Sequence, residues 1–263
     1  MSKPFLRESQ HGSILMLEMD APEDRNALSW PSQCDEFIEA CRRVNADRGV
    51  KVVILTGTGN SFCSGGNVKH MRSHEGFMAG SIEEIEERYR STLQQVALSL
   101  HGLEVPLIAA VNGPAMGAGL DIACMCDVRI AAESARFAET FVRLGLISGI
   151  GGAWFLPRVV GPARAAELSF TARIFDAAQA LNYGLISEVL PDDQLRGRAI
   201  ELAGEIAAHS GIALRFAKRL LRMGERSDLR GTLDVTAALQ AVAHQTPEHR
   251  AAIEAFFETR LRC

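Results

Sequence analysis

Short apolar runs alternate with helical patterns over the first part of the chain. The runs at residues 13–19, 51–56, 107–111, 128–131 and 185–190 are bounded by turn residues and predict buried strands. Between the first two, apolar residues from Cys34 to Val44 recur at helical spacing, and Ser29 and Pro31 suit the start of that helix. Because helices separate these strands, we expect a largely parallel sheet.

A second helix is predicted to begin at the capping box formed by Ser81 and Glu84. Its apolar face would run from Ile82 through Tyr89 to Leu100.

The pattern changes after Pro191. The segments 194–209, 212–224, 229–244 and 247–261 all have helical periodicity. The sequence therefore predicts an α/β core over residues 1–192, followed by a helical region over residues 193–263. Periodicity alone leaves two α/β architectures open: a doubly wound sheet and a spiral of repeated ββα units.

Composition narrows the class of protein. The chain has 263 residues, of which 47% are hydrophobic and 23% charged, as in ordinary globular proteins. A net charge of −4 gives no reason to expect a nucleic-acid partner. No apolar run is long enough to span a bilayer, and residues 1–10 lack the apolar core of a signal peptide. We therefore expect a cytoplasmic protein that does not associate with membranes.

Cysteine spacing bears on metal binding. The six cysteines include no pair at the C-x-x-C spacing of zinc sites. Reduced, mostly buried thiols are therefore expected, and no metal site is predicted.

Two glycine-rich turns carry the candidate chemistry. Residues 62–69 (FCSGGNVK) and 112–121 (NGPAMGAGLD) each follow a predicted strand and lead into a predicted helix start. The free N–H groups of a helix's first turn favour an anion, or an oxygen that becomes negative during a reaction. Neither segment is a phosphate loop or a Gly-x-Ser-x-Gly elbow. Taken singly, each would be read as ordinary turn chemistry.

Together the two turns resemble the signature of the enoyl-CoA hydratase/isomerase (crotonase) family. Further segments follow in the family's order: residues 24–29 (DRNALS), 110–113 (AVNG), 126–131 (CDVRIA), 145–152 (GLISGIGG) and 183–186 (YGLI). The resemblance implies a crotonase-like spiral of ββα units with a C-terminal helical trimerisation region. It also implies a coenzyme A thioester as substrate, no other cofactor, and a homotrimer or dimer of trimers.

The resemblance implies roles for particular residues. The backbone amides of Gly66 and Ala118 match the pair that grips the thioester carbonyl oxygen, and Asp121 matches an acid/base position where glutamate is usual. The alternative for Asp121 is a first-turn carboxylate that complements the helix dipole. Positions near the adenine and pantetheine of coenzyme A match Arg25, Ala27, Leu28, Ser64, Gly65, Gly66 and Asn67. Arg25 is equally well explained as a surface arginine.

The second acid of the hydratases is the main departure. That position falls on Phe141, which would contact the substrate but cannot hold water or transfer a proton. Glu139 lies two residues earlier and would share the orientation of Phe141 if the segment were extended. If the segment were helical, Glu139 would point elsewhere. Hydration, isomerisation, C–C bond cleavage and catalytically weak acyl-CoA binding all remain open.

The segment after the first turn contains further candidates for the site. Met71, Phe77 and Met78 either line an acyl pocket or pack in the core. For His70 and His74 we expect solvated positions rather than a role in the site.

Overall fold

The computed structural model describes residues 3–260, with side chains through residue 258. Its strands are β1 (Leu6–His11), β2 (Ile14–Met19), β3 (Val52–Gly57), β4 (Leu107–Val111), β5 (Ala115–Met116), β6 (Val128–Ala132), β7 (Arg136–Ala138), β8 (Phe175–Asp176) and β9 (Glu188–Leu190). The main sheet has the order β1-β2-β3-β4-β6-β9. The hairpin β1–β2 is antiparallel, and every other pair in this sheet is parallel, as expected from the alternation of strands and helices.

A small second sheet has the order β5-β7-β8. Strands β5 and β7 pair in parallel, with Ala115 opposite Phe137 and Met116 opposite Ala138. This pairing places the second glycine-rich turn beside the residue that follows β7, which is Glu139. The small sheet therefore brings two of the predicted site segments together.

The helices lie between and after the strands. They are α1 (Pro31–Ala46), α2 (Val68–Ser73), α3 (Ile82–Arg88), α4 (Gln94–His101), α5 (Ala118–Met125), α6 (Gly152–Val160), α7 (Pro162–Thr171), α8 (Ala177–Asn182), α9 (Leu195–Ala207), α10 (Gly211–Gly224), α11 (Leu229–His244) and α12 (Pro247–Arg260). Single 3-10 turns cover Pro22–Asp24, Gly76–Met78 and Phe141–Leu144. The four predicted C-terminal helices are confirmed; Leu261, the predicted end of the last, lies outside the described residues.

The main sheet is covered on both faces. On one face a large core contains Phe37 of α1, Leu100 of α4 and Leu120 of α5. On the other face Ala199 and Ala203 of α9 pack against strand residues. Helix α9 thus packs on the sheet although the predicted helical region begins at residue 193. The division of the chain at 192/193 stays a prediction.

The helix predicted to begin at Ser81 is present, with the predicted capping box between Ser81 and Glu84. It runs into a π-helical segment, Tyr89–Leu93, before continuing as α4. The prediction of one continuous apolar face was wrong at its start, because Ile82 is 81% exposed whereas Leu100 is buried. A π turn contains an additional residue, so it rotates the side chains before it relative to those after it.

Two smaller outcomes concern the fifth predicted strand and the thiols. Only residues 188–190 of the predicted strand 185–190 pair in the sheet, while Leu185 and Ile186 are buried ahead of it. The cysteines of the described residues are free and buried, as predicted, and Cys263 lies outside that range. None of the helices between residues 3 and 260 has the length and apolar character needed to cross a bilayer.

Candidate active site

The two glycine-rich turns are held against each other by backbone contacts. The Met116 amide donates to the Cys63 carbonyl at 3.0 Å, and the Cys63 amide donates to the Pro114 carbonyl at 3.1 Å. Gly65 has a φ of +83°, and a Cβ added to it would be 2.5 Å from the Met116 carbonyl oxygen. Only glycine tolerates both conditions without displacing the backbone. The turns are therefore fixed in one relative position.

This contact places the amides of Gly66 and Ala118 beside the same pocket. Both residues line it, and Ala118 is the first residue of α5, where an N–H has no intrahelical partner. Neither amide donates a hydrogen bond to any residue in the part of the chain that the structure describes. The positive end of the α5 dipole adds to the attraction for negative charge. Two free donors at one pocket wall are the arrangement that an enolate oxygen requires.

The pocket itself is narrow and mainly apolar. Water-sized molecules can enter about 60 Å³ of it. Its walls come from the residues before α1, the segment after the first glycine-rich turn, the π segment, the 3-10 turn Phe141–Leu144 and the residues before α6. They include Leu28, Met71, Phe77, Met78, Tyr89, Leu93, Phe141 and Ile150. The methyl carbon of Met71 lies over Gly66, at 2.5 Å from where a Cβ would be. A bound acyl group must therefore move flexible side chains such as Met71.

Both alternatives for the segment after the first turn are found: Met71, Phe77 and Met78 line the pocket, and Phe77 and Met78 also pack in the core. His74 is exposed, as expected. The expectation for His70 was wrong, because it lines the pocket and its Nδ1 is buried without a partner among the described residues. Its ring lies 4.7 Å from that of Trp30, centroid to centroid. This contact with a residue 40 positions earlier left no signal in the sequence.

Asp121 and Glu139 form a buried carboxyl pair behind the pocket wall. Asp121 is 0% exposed and Glu139 is 4% exposed, and neither lines the pocket. A Cβ added to Gly152 would be 2.1 Å from Asp121 Oδ1 and 2.6 Å from Glu139 Oε1, so both groups converge on this glycine. The structure thus brings together the two carboxyl groups that the sequence singled out.

Phe141 and Glu139 do not face the same way. Strand β7 ends at Ala138, and the 3-10 turn Phe141–Leu144 begins after Thr140, whose backbone is helical. The extended alternation therefore stops before Phe141. Phe141 lines the pocket, whereas Glu139 turns inward to Asp121.

Burial raises the pKa of both carboxyl groups. Desolvation raises the pKa of Asp121, opposed by the hydrogen bond from Ser148. Desolvation and the neighbouring Asp121 carboxylate raise the pKa of Glu139 further. Two adjacent carboxylates in a dry site cannot both stay charged at low cost, so the pair holds one proton near neutral pH. The two carboxyl groups therefore share this proton, and the pair as a whole can accept or release it.

This pair should make the protein less stable as the pH rises. The pKa of Asp121 is raised to about 7 and that of Glu139 to about 9. Stability from a raised carboxyl pKa is complete below the unfolded-state pKa and is lost as the pH passes the folded-state pKa. We expect the melting temperature to fall between about pH 4 and pH 9, and to fall less in Glu139→Gln. One pKa unit corresponds to about 1.4 kcal/mol, or about 2–4 °C in a chain of this size.

Thermal melts of both proteins across that pH range measure the effect. All other titrating groups are shared, so the difference between the two curves isolates the pair. If the melting temperatures of the two proteins fell equally with pH, the raised pKa values of the carboxyl pair would be contradicted.

The segments predicted to bind coenzyme A lie side by side. The Leu28 amide donates to the Gly65 carbonyl at 2.8 Å, and the Ser64 amide donates to the Arg25 carbonyl at 3.0 Å. Arg25 is exposed, whereas Ala27 and Leu28 are buried. Asn67 caps α2 by accepting from the Lys69 amide at 3.0 Å. These contacts form one continuous rim beside the Gly66 amide.

Two residues of the site were missed in the sequence. Asn26 is fully buried, and its side-chain amide donates to the carbonyls of Thr58 and Ser61. These hydrogen bonds fix the segment 25–28 to the residues that follow β3. Ser148 donates to Asp121 Oδ2 at 2.6 Å. Ser148 stood within the quoted segment 145–152, but nothing in its spacing indicated a contact with Asp121.

Comparisons with known proteins identify the family of this chain. The family model described as enoyl-CoA hydratase/isomerase matches residues 9–262. The chain is 32% identical over 249 residues to a crotonyl-CoA hydratase of Syntrophomonas wolfei, covering 94% of this chain and 92% of that protein. It is 31% identical over 256 residues to a 1,2-epoxyphenylacetyl-CoA isomerase of Escherichia coli, covering 97% and 96%.

A solved structure supports the fold as well. The enoyl-CoA hydratase of Bacillus anthracis superimposes with a TM-score of 0.90 at 31% identity, covering 97% of this chain and 96% of that one. The predicted crotonase-like fold is thereby confirmed, and so is the prediction of an enzyme that processes acyl-CoA thioesters. The chain is a member of the enoyl-CoA hydratase/isomerase family.

Proposed function

We propose that this enzyme moves a proton at the carbon next to the thioester of an acyl-CoA, with double-bond isomerisation as its main reaction. Loss of that proton places negative charge on the thioester oxygen. The Gly66 and Ala118 amides are proposed to hold this oxygen, since both are free donors at the pocket. One such donor is typically worth about 3 kcal/mol in the transition state.

The carboxyl pair is the reason for proposing isomerisation as the main reaction. Isomerisation needs one group that takes a proton from one carbon and returns it to another. Asp121 suits that role, because the pair that it forms with Glu139 accepts and releases one proton near neutral pH. We therefore assign Asp121 as the acid/base and Glu139 as its partner.

Hydration is the second candidate. It is favoured by the presence of two carboxyl groups and by the relative named crotonyl-CoA hydratase. Against it, Phe141 lines the pocket where an attacking water would need a hydrogen-bonding partner. The two carboxyl groups also lie together behind the wall rather than on either side of a water position.

Coenzyme A is proposed to lie along the rim formed by residues 25–28 and 64–67. Ala27, Leu28 and Gly65 shape the rim, and the exposed Arg25 is available to a phosphate. Ser64 and Asn67 supply polar side chains beside the Gly66 amide. No metal or redox cofactor is part of this proposal.

A homotrimer or a dimer of trimers is proposed for the assembly, in the cytoplasm. Helices α10 to α12 carry large apolar side chains that are exposed in the single chain: Leu221, Leu229, Leu233, Val242, Ile253, Phe256 and Phe257. Such a concentration of exposed apolar surface is typical of a protein–protein contact. The helical region 193–263 is therefore proposed as the oligomerisation region.

The experiment compares two substrates in D₂O. A 3-enoyl-CoA and crotonyl-CoA are incubated with the purified enzyme, and products and deuterium at the α-carbon are followed by mass spectrometry. We expect the 3-enoyl-CoA to be converted to the 2-enoyl-CoA with deuterium uptake, while crotonyl-CoA gains little water. Rapid hydration of crotonyl-CoA would establish the second candidate instead. Tight binding without product from these or from β-keto-acyl-CoAs would indicate a catalytically weak acyl-CoA-binding protein, and cleaved β-keto-acyl-CoA would indicate C–C chemistry.

A further inference from the structure

The buried carboxyl pair raises a problem of access. Asp121 is 0% exposed, so a substrate in the pocket does not reach it directly. Ser148 does not line the pocket itself, but it is half-buried, and its neighbours Ile147 and Gly149 both line the pocket. Its hydroxyl is 2.6 Å from Asp121 Oδ2. Ser148 therefore connects this segment of the pocket wall to the carboxyl pair.

We propose that the Ser148 hydroxyl relays the proton between the acyl-CoA in the pocket and Asp121. The inference rests on the proposed proton-transfer function. It adds a residue that nothing in the sequence had singled out.

The direction of the hydrogen bond follows from its neighbours. The Gly152 amide donates to Ser148 Oγ at 2.7 Å, which occupies one lone pair of the hydroxyl. The hydroxyl has a single proton, and the carboxylate of Asp121 accepts it. One lone pair of Oγ then remains to receive a proton. A hydroxyl with these two contacts and one free lone pair is arranged to pass a proton in one direction and to reset in the other.

The local backbone holds Ser148 in this position. Gly145 ends the 3-10 turn in the left-handed region, and Gly152 begins α6. Because the Gly152 amide belongs to the first turn of α6, its bond to Ser148 anchors the serine to the helix end. The hydroxyl is thus held by the scaffold rather than by the substrate.

The relay balances in protons and electrons. The C–H bond next to the thioester breaks, and its electron pair moves onto the thioester oxygen. The proton joins Ser148 Oγ while the proton of Ser148 passes to Asp121 Oδ2. The reverse sequence returns a proton to a different carbon, which completes the isomerisation and restores both residues.

The titration of Asp121 provides an independent readout. The hydrogen bond from Ser148 favours the charged carboxylate and lowers the pKa of Asp121 relative to burial alone. Removing the hydroxyl should raise that pKa. The acid limb of the pH–rate profile, which requires an unprotonated Asp121, should then move to higher pH.

The test uses the full-length enzyme, Ser148→Ala and the hydroxyl-retaining Ser148→Thr, with the 3-enoyl-CoA in D₂O as probe. We expect Ser148→Ala to lower kcat for deuterium exchange by about 10²-fold, the lower end for loss of a proton-transfer group. KM should change little, the acid limb should move to higher pH, and Ser148→Thr should remain within about tenfold of the wild type. Melting temperatures measured in parallel report any loss of the α6 contact.

Several outcomes would overturn the relay. One is a Ser148→Ala enzyme with kcat close to that of the wild type. Another is a Ser148→Ala enzyme whose kcat falls by the same factor at every pH and whose melting temperature is lowered, since that result indicates a loss of packing. A third is a natively stable Ser148→Thr that is as impaired as Ser148→Ala. If the wild type exchanges, Asp121→Asn does not and Ser148→Ala does, the proposed function stands and only the relay fails. If the wild type itself exchanges no proton, both fail.

Discussion

Replacing Asp121 by asparagine is expected to lower the turnover of the acyl-CoA by about 10²–10⁴-fold, the range for loss of one acid or base. Asparagine has nearly the same shape, and its side-chain oxygen still accepts the hydrogen bond that Asp121 receives from Ser148. It cannot take up the substrate proton. The measurement is kcat for α-carbon deuterium exchange near neutral pH.

The variant should remain folded. Because burial disfavours the charged form of Asp121, the neutral asparagine should melt at the same or a higher temperature than the wild type at pH 8. Asp35→Asn, the same change on an exposed position of α1, is the matched control and should leave both properties unchanged. Wild-type turnover in Asp121→Asn would contradict the assignment of Asp121 as the acid/base.

Replacing Gly119 by alanine is expected to cost both stability and activity. The added Cβ would be 2.0 Å from the Cys63 carbonyl oxygen and 2.8 Å from its carbon, which are backbone atoms. They cannot move without shifting the first glycine-rich turn, and with it the Gly66 amide. Overpacking of this kind costs about 1–3 kcal/mol. Displacing one oxyanion donor lowers kcat by about 10²–10³-fold.

Thermal melts and steady-state kinetics of Gly119→Ala test both parts. Gly197→Ala is the matched control, because Gly197 is also helical and no atom lies within 4 Å of its added Cβ. Alanine is the better helix former by up to about 1 kcal/mol, so the control should be neutral or slightly stabilised. A stabilised Gly119→Ala with full activity would show that the two turns are not held as described.

Much of the fold could be predicted because its strands are short apolar runs that end in turn residues. The helix at Ser81 was recognisable from its cap, since capping is local in sequence. The exposure of Ile82 was not recognisable, because it results from the π segment Tyr89–Leu93. That segment depends on how Tyr89 and Leu93 pack and not on a particular local residue pattern.

The candidate site was likewise predictable only where its residues lie close together in the sequence. The turns containing Gly66 and Ala118 could be located from motifs, since each motif is contiguous. The pairing of Glu139 with Asp121 depends on the contact between β5 and β7, and the sequence did not predict that small sheet. The contact of Ser148 with Asp121 spans 27 positions and joins two separate elements. No periodicity connects such residues, so only the structure shows them together.

The π segment Tyr89–Leu93 has a consequence for how this enzyme's substrate range can evolve. Tyr89 and Leu93 both line the pocket, whereas Leu100, farther along the same helix, belongs to the core. Since a π turn contains an additional residue, loss of a single codon here would convert the segment to α-helix and turn Tyr89 to a new direction. The core face of α4 and the two glycine-rich turns would be untouched. One small deletion or insertion can thus remodel the acyl pocket while the proposed proton-transfer residues are preserved.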